Sequence, residues 1–189
     1  MSAENALTEV EMSARISALK AFSRREATSD DLDAVILEFL HTKSDRGRTL
    51  LGAAMLQSAL EGAIRPFLVG DLSKGYEETL FDGDGPLAGF SRVIRVAYAF
   101  GIIDKNMERE LQYVREIRNA FAHSRISFDF ETPQVKAVCE LFAKHYTDAP
   151  ELKLSIDHPR MKFIGCVTAI FKVLAEAARK DKPTYPLSF

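Results

Sequence analysis

Apolar residues recur along this chain at spacings of three and four, the period of a helix with one buried face, and they do so nearly throughout. Ser29, Asp30 and Asp31 predict the cap of a helix carrying Leu32, Val35, Ile36, Phe39 and Leu40 on one side. Ser44-Asp45 opens a longer helix in which Leu56, Leu60, Ile64 and Phe67 line up, with Pro66 placed to kink or end it. Helical character resumes near Ser91 with Val93, Ile94, Ala97 and Tyr98, and stops at Gly101. Asp104 predicts the cap of the next helix, whose stripe is Met107, Leu111, Val114, Ile117 and Phe121. Thr132-Pro133, a capping hydroxyl before a proline at the first helical position, predicts a helix with Val135, Val138, Leu141 and Phe142. Phe163, Ile164, Val167, Ile170, Phe171 and Leu174 form the broad stripe of the last long helix.

Two stretches break the pattern. Gly70, Gly75, Gly83, Gly85 and Pro86 predict a long Gly/Pro-containing loop over residues 70–91 with at most a short helical piece. Residues 124–131, Ser-Arg-Ile-Ser-Phe-Asp-Phe-Glu, read as a short extended connector. Helices joined by mostly short loops imply an all-α, single-domain multi-helix bundle. The expected organisation is an N-terminal peripheral helix over 1–28, a helical domain over 29–179 and a flexible tail over 180–189.

Composition narrows the function classes. Of 189 residues, 47% are apolar, enough for a hydrophobic core, and 28% are charged, unlike a disordered segment. Lysine and arginine total 25 against 27 acidic residues, so the net charge is -2 and there is no global surplus of cations for neutralising phosphates. Cys139 and Cys166 form no C-x-x-C pair and sit in apolar helical patterns, which predicts buried free thiols in a reducing compartment. The two cysteines and four histidines compose no metal cluster, and no cofactor is expected. The first residues, Met-Ser-Ala-Glu-Asn-Ala, are not those of a signal peptide, and no apolar stretch approaches membrane-spanning length. The expected location is therefore cytoplasmic.

Two segments could carry function. In Arg118-Asn119-Ala120-Phe121-Ala122-His123, Asn119 and His123 lie four apart on one helix face, with Arg115 a turn earlier and Arg118 beside it. A histidine in the last helical turn also sits in the negative field of the helix dipole. The run resembles the R-x(4–6)-H motif of HEPN-type helical domains, many of them metal-independent ribonucleases. That resemblance implies His123 as acid/base on a 2'-hydroxyl and Arg118 steadying phosphate charge, with Asn119 beside them. One motif per chain would then require a symmetric dimer. The structural alternative has His123 and Asn119 bonding the helix end and connector, with Arg118 paired to Glu116 or Glu110. The second segment, Leu80-Phe81-Asp82-Gly83-Asp84-Gly85-Pro86-Leu87, specifies a tight turn. It lacks the lysine and spacing of a phosphate-binding loop, and reads better as a loop anchored on the bundle by Phe81 and Leu87.

Taken in order, several motifs resemble the mannitol operon repressor (MtlR) family. They are Ser44-Asp45-Arg46-Gly47, the 80–87 segment followed by Phe90-Ser91, then Ala97-Tyr98-Ala99-Phe100-Gly101-Ile102-Ile103 and Ile117 to His123. Their order and separation match the family pattern from about residue 30 to residue 175, while Arg48 and Gly89 depart from it where other small or apolar residues are expected. The resemblance implies a helical bacterial regulator lowering expression of a mannitol operon. Its residues argue against a helix-turn-helix reader, because the turn at Gly101 leads into the acidic Asp104-Lys105-Asn106-Met107-Glu108-Arg109-Glu110 rather than a basic recognition helix.

The expected function is therefore regulation through contact with another regulatory protein, without catalysis, without autonomous DNA binding and without membrane association. The alternatives are a HEPN-like ribonuclease acting as a dimer through Arg118, Asn119 and His123, and a direct DNA-binding repressor using a folded basic patch. Candidate partner-binding residues are Asp82, Gly83, Asp84, Gly85, Arg115, Arg118 and His123, and a homodimer is the base-rate oligomer. Arg92, Arg95, Arg109 and Arg125 could join Arg115 and Arg118 in a positive surface, although such charges more often form a solvated, ion-paired face.

Overall fold

The computed structural model describes residues 9–23, 28–70, 72–143 and 158–178. Among them are eight α-helices and no strand: α1 (Glu9–Ser23), α2 (Ser29–His41), α3 (Asp45–Ile64), α4 (Lys74–Phe81), α5 (Phe90–Ala99), α6 (Lys105–His123), α7 (Pro133–Cys139) and α8 (Pro159–Ala177). The chain divides into two compact units, Met1–Leu37 and Glu38–Phe189, the division falling inside α2. The expected tail over 180–189 lies outside the described residues. No helix among those described is long and apolar enough to cross a membrane.

The caps explain where most helices begin. Ser44 accepts the Gly47 N–H at 3.1 Å ahead of α3, and Asp104 accepts the Met107 N–H at 2.8 Å ahead of α6, as their sequence positions predict. At α2 the capping residue is Thr28, one position before the expected cluster. Its hydroxyl oxygen accepts the Asp31 N–H at 3.3 Å while the Asp31 carboxylate accepts the Thr28 N–H at 2.9 Å, a reciprocal capping box. Thr132 departs from expectation: its hydroxyl turns back to Asp129 rather than capping α7, leaving Pro133 to start that helix. α5 ends in a Schellman motif, with Gly101 at φ 69° and the Ile102 N–H reaching the Ala97 carbonyl at 2.9 Å.

In the larger unit α3 is the centre, packed against α5, α6 and α8. It buries Ala53, Met55, Leu56, Leu60, Ala63 and Ile64, on more than one side, because neighbours surround it. Gly52 lets the Phe39 ring close in: a Cβ there would lie 2.8 Å from that ring and 3.4 Å from Phe163. α6 buries the whole predicted stripe from Met107 to Phe121, and α8 buries Phe163, Ile164, Cys166, Val167, Ile170 and Leu174. Phe67 falls outside its predicted stripe. Pro66 ends α3 in a 3-10 turn (Arg65–Phe67) that carries Phe67 to the surface, where it stacks on Phe100 at 6.0 Å.

The 124–131 connector does more than join helices. It inserts Phe130, fully buried, between Phe121 and Phe163 at centroid distances of 5.6 and 5.3 Å, and lays Phe128 on Phe121 at 4.4 Å.

Among the described residues four polar side chains are buried with this core: Asp45, Arg48, Thr49 and Glu110. Asp45 accepts the Phe130 N–H at 3.2 Å and an Arg160 Nη2 hydrogen at 3.0 Å through Oδ2, while Arg160 Nε lies 2.8 Å from Oδ1. Arg48 solves a different problem. The last turn of α2 leaves carbonyls with no helical partner. Arg48 donates to those of Phe39, Leu40 and Thr42, the second at 3.1 Å, so a residue out of place in the apolar pattern is the C-terminal cap of α2. Burial lowers its pKa, Arg160 lowers it further and Asp45 opposes them. Glu110 accepts the Ala143 N–H at 3.3 Å, tying α6 to the chain beyond α7.

Arg48→Met keeps the apolar stem and strands three carbonyls, so we expect a loss of about 2–3 kcal/mol in urea unfolding at unchanged m value. Arg48→Lys should recover only part of it, since an ammonium lacks the planar fork. A loss below roughly 0.5 kcal/mol for Arg48→Met would show that water already serves these carbonyls.

Candidate functional site

The outer end of α6 holds Arg115, Arg118, Asn119 and His123. Helical geometry advances about 100° per residue, which puts Asn119 and His123 about 40° apart but Arg118 and His123 about 140° apart. Arg118 donates from Nη1 to Asn119 Oδ1 at 3.0 Å, and Arg115 pairs with Glu116. Glu116 and Glu110 therefore pair with arginines other than Arg118, Glu110 lying 4.0 Å from Arg109. His123 is exposed and has no hydrogen bond or ion pair among the described residues. Within one chain the motif thus presents its arginine and histidine on different sides of the helix.

The 80–87 segment folds onto itself. Within the predicted loop, residues 74–81 form α4, capped by Ser73 through the Tyr76 N–H at 3.2 Å. The chain then reverses tightly, the Gly85 N–H reaching the Asp82 carbonyl at 2.9 Å and the Leu87 N–H reaching the Leu80 carbonyl at 2.8 Å. Gly85 lies flat on the end of α4: a Cβ there would sit 2.3 Å from the Thr79 carbonyl oxygen and 2.5 Å from that of Leu80. Phe81 and Leu87 are buried as anchors, and Arg92 donates to the Gly85 carbonyl at 2.6 Å. Arg65 reinforces the arrangement by pairing with Glu77 and lying over the Phe81 ring at 4.8 Å. Asp82, Gly83 and Asp84 stay on the surface.

Most of the arginines considered for a positive surface are already engaged with neighbours. Arg92 is committed to the 85 turn, Arg109 to Asn106 and Glu110, and Arg115 to Glu116. Arg125 alone of that set borders a cleft of about 540 Å³ between the start of α3 and the connector after α6. Lys43 and Arg46 share its wall, and Arg46 Nη2 donates to the Ser124 carbonyl at 3.1 Å. The sequence gives no signal for this juxtaposition, because Arg46 and Ser124 stand 78 positions apart.

No described group of histidine, cysteine and carboxylate side chains could hold a metal ion. Cys139 and Cys166 are free and buried, as expected. Burial, followed by Glu140, pushes the Cys139 thiol up to about 12, and burial with the Glu110 charge pushes Cys166 well above its ordinary value, so neither is a nucleophile at neutral pH.

No protein-family model matches the chain, and no curated protein sequence matches it. Among solved structures the fold is similar to MtlR in the X-ray structure of the MtlR–HPr complex from Escherichia coli. The TM-score is 0.55 at 14% identity, covering 77% of this chain and 97% of that one.

Gly85→Ala should cost more than about 2 kcal/mol in thermal or urea unfolding, because the new methyl meets fixed backbone oxygens. His123→Ala, at an exposed position without partners, should stay within about 0.5 kcal/mol of wild type. A neutral Gly85→Ala would mean that the turn is not pressed on α4.

Proposed function

We propose that this chain is a bacterial regulator of the MtlR type that acts through contact with another protein and does not catalyse a reaction. The observation that carries the reading is the fold's likeness, over nearly all of that chain, to an MtlR solved in complex with HPr. Two physical features agree with it. A DNA-reading helix must offer a free polar face to the major groove. The helix after the Gly101 turn is α6, whose outer face is not basic but mixed, with Lys105 paired to Glu108 and Arg115 to Glu116. Nor does the charge balance help a repressor that must grip phosphates unaided, with a net charge of -2.

Contact surfaces under this reading are the exposed Asp82-Gly83-Asp84 turn and the outer end of α6. The ribonuclease reading keeps one supporting observation: His123 is exposed and unpartnered, as an acid/base must be. It would need a second copy to bring an arginine to that histidine, given their angular separation on α6.

Purified chain should bind HPr, taken from its own host and from Escherichia coli, saturably in calorimetry and with a Kd on the order of micromolar or tighter. Operator-length duplex alone should not shift in a gel at physiological salt, and single-stranded RNA should stay intact in EDTA. Absence of HPr binding from both sources would remove the support for the protein-contact reading. RNA cleavage in EDTA that disappears in His123→Ala would replace it with the enzymatic one.

A further inference from the structure

We propose that the cleft between the start of α3 and the 124–129 connector binds a small phosphorylated molecule, seated by Lys43, Arg46 and Arg125. The charges around the cleft are unevenly paired. Of its two carboxylates, Asp45 is neutralised from behind by Arg160 and turned to the Phe130 N–H. Asp129 accepts the Glu131 and Thr132 N–H groups at 3.0 and 3.1 Å, which holds it in its own turn. The cations are differently placed. Lys43 and Arg125 have no hydrogen bond or ion pair among the described residues, and Arg46 uses one donor on Ser124, leaving the rest of its guanidinium. Three cations thus face one unneutralised carboxylate, a local excess of two positive charges on a chain whose overall charge is negative.

The backbone adds to this field. The Asp45 and Arg46 N–H groups open a helix of 20 residues with no internal acceptor, at the end where the peptide dipoles favour an anion. The α6 carboxyl end opposes them, but its Ser124 carbonyl is already covered by Arg46. A dianionic phosphate satisfies more of these donors than a carboxylate does, because it offers three acceptor oxygens to a guanidinium fork and an ammonium.

Size decides between ligand sources. About 540 Å³ exceeds what an inorganic ion fills and falls in the range of small-molecule sites. The lining is mostly polar, with Ile126 and Phe128 adding a smaller apolar edge, which suits the hydroxyl-rich organic part of a sugar ester. A polyanion such as RNA would meet the negative balance of the rest of the chain.

The test is an amide NMR titration of the full chain at fixed ionic strength, with glucose 6-phosphate in one arm, inorganic phosphate in a second and a short single-stranded RNA in a third. We expect saturable shifts at Asp45, Arg46, Arg125 and Ser127 with glucose 6-phosphate, Kd on the order of 1 mM or tighter, and several-fold weaker binding of inorganic phosphate. The double variant Lys43→Ala/Arg125→Ala, altered only at exposed side chains, should weaken both at least tenfold while leaving the unliganded spectrum and Tm in place. No saturable shifts, shifts elsewhere, or equal binding by the double variant would overturn the site. Inorganic phosphate binding as tightly as the ester, or RNA alone producing the shifts, would overturn the assignment of the ligand. None of these readouts involves HPr, so the result stands apart from the regulatory reading.

Discussion

Taking the Asp45 carboxylate out of water at the first turn of α3 is the constraint around which the larger unit is arranged. Removing an ion from water costs several kcal/mol unless its lone pairs find donors, so the surrounding chain must bring them. Arg160 comes from the first turn of α8, and the Phe130 N–H comes from the connector after α6. One side chain therefore fixes where three segments far apart in sequence meet. Its placement is favourable in a second way, because a carboxylate at a helix start faces the positive end of the dipole. Arg160 is 40% exposed, which limits the desolvation of the pair and also its strength. Its main effect is positional: with the Phe130 amide held, the Phe130 ring lies between Phe121 and Phe163, and the aromatic core closes.

Arg48, three residues along α3, extends the same logic. Its guanidinium fork covers the carbonyls that α2 leaves open, so the α2–α3 corner is closed by buried polar contacts. Burial and then the Arg160 charge lower the Arg48 pKa, and the Asp45 charge opposes both. Removing any member leaves a buried charge or carbonyl without its partner, which is the costly outcome in a low-dielectric interior.

What the sequence discloses here is local. The stripe on α6, the caps at Ser44 and Asp104, and the glycine stop at Gly101 follow from periodicity and neighbouring donors, and the structure has each of them. Thr132 shows the limit: its hydroxyl has a competing partner in Asp129, and a cap cannot be told from a turn when both lie three residues away. Arg48 looks like an intrusion in an apolar pattern because its partners lie on another helix. The 124–131 connector carries two phenylalanines in a polar run, and nothing local says that the core will take them. The Arg118–His123 spacing is visible in sequence, yet helical geometry alone separates the two side chains. The cleft is the least legible feature, since its walls come from α3 and from a connector roughly eighty residues later.

The cleft and the Asp45 pair share the first turn of α3, and this adjacency bears on regulation. Arg46 faces the cleft and bonds the end of α6, while Asp45, its neighbour, faces inward and holds α8 and the connector. An anion on Arg46 and Arg125 would therefore act on the turn where α3, α6 and α8 are joined, not on a detached surface patch. Ligand binding to the native state stabilises whatever the binding groups hold in place. Under the proposed function the outer end of α6 is a candidate contact surface, and it runs directly into Ser124 and Arg125 on the cleft wall. A ligand in the cleft and a partner docked on that surface would meet at one junction. Thermodynamic linkage requires that if either alters the affinity for the other, the effect is returned by the same factor.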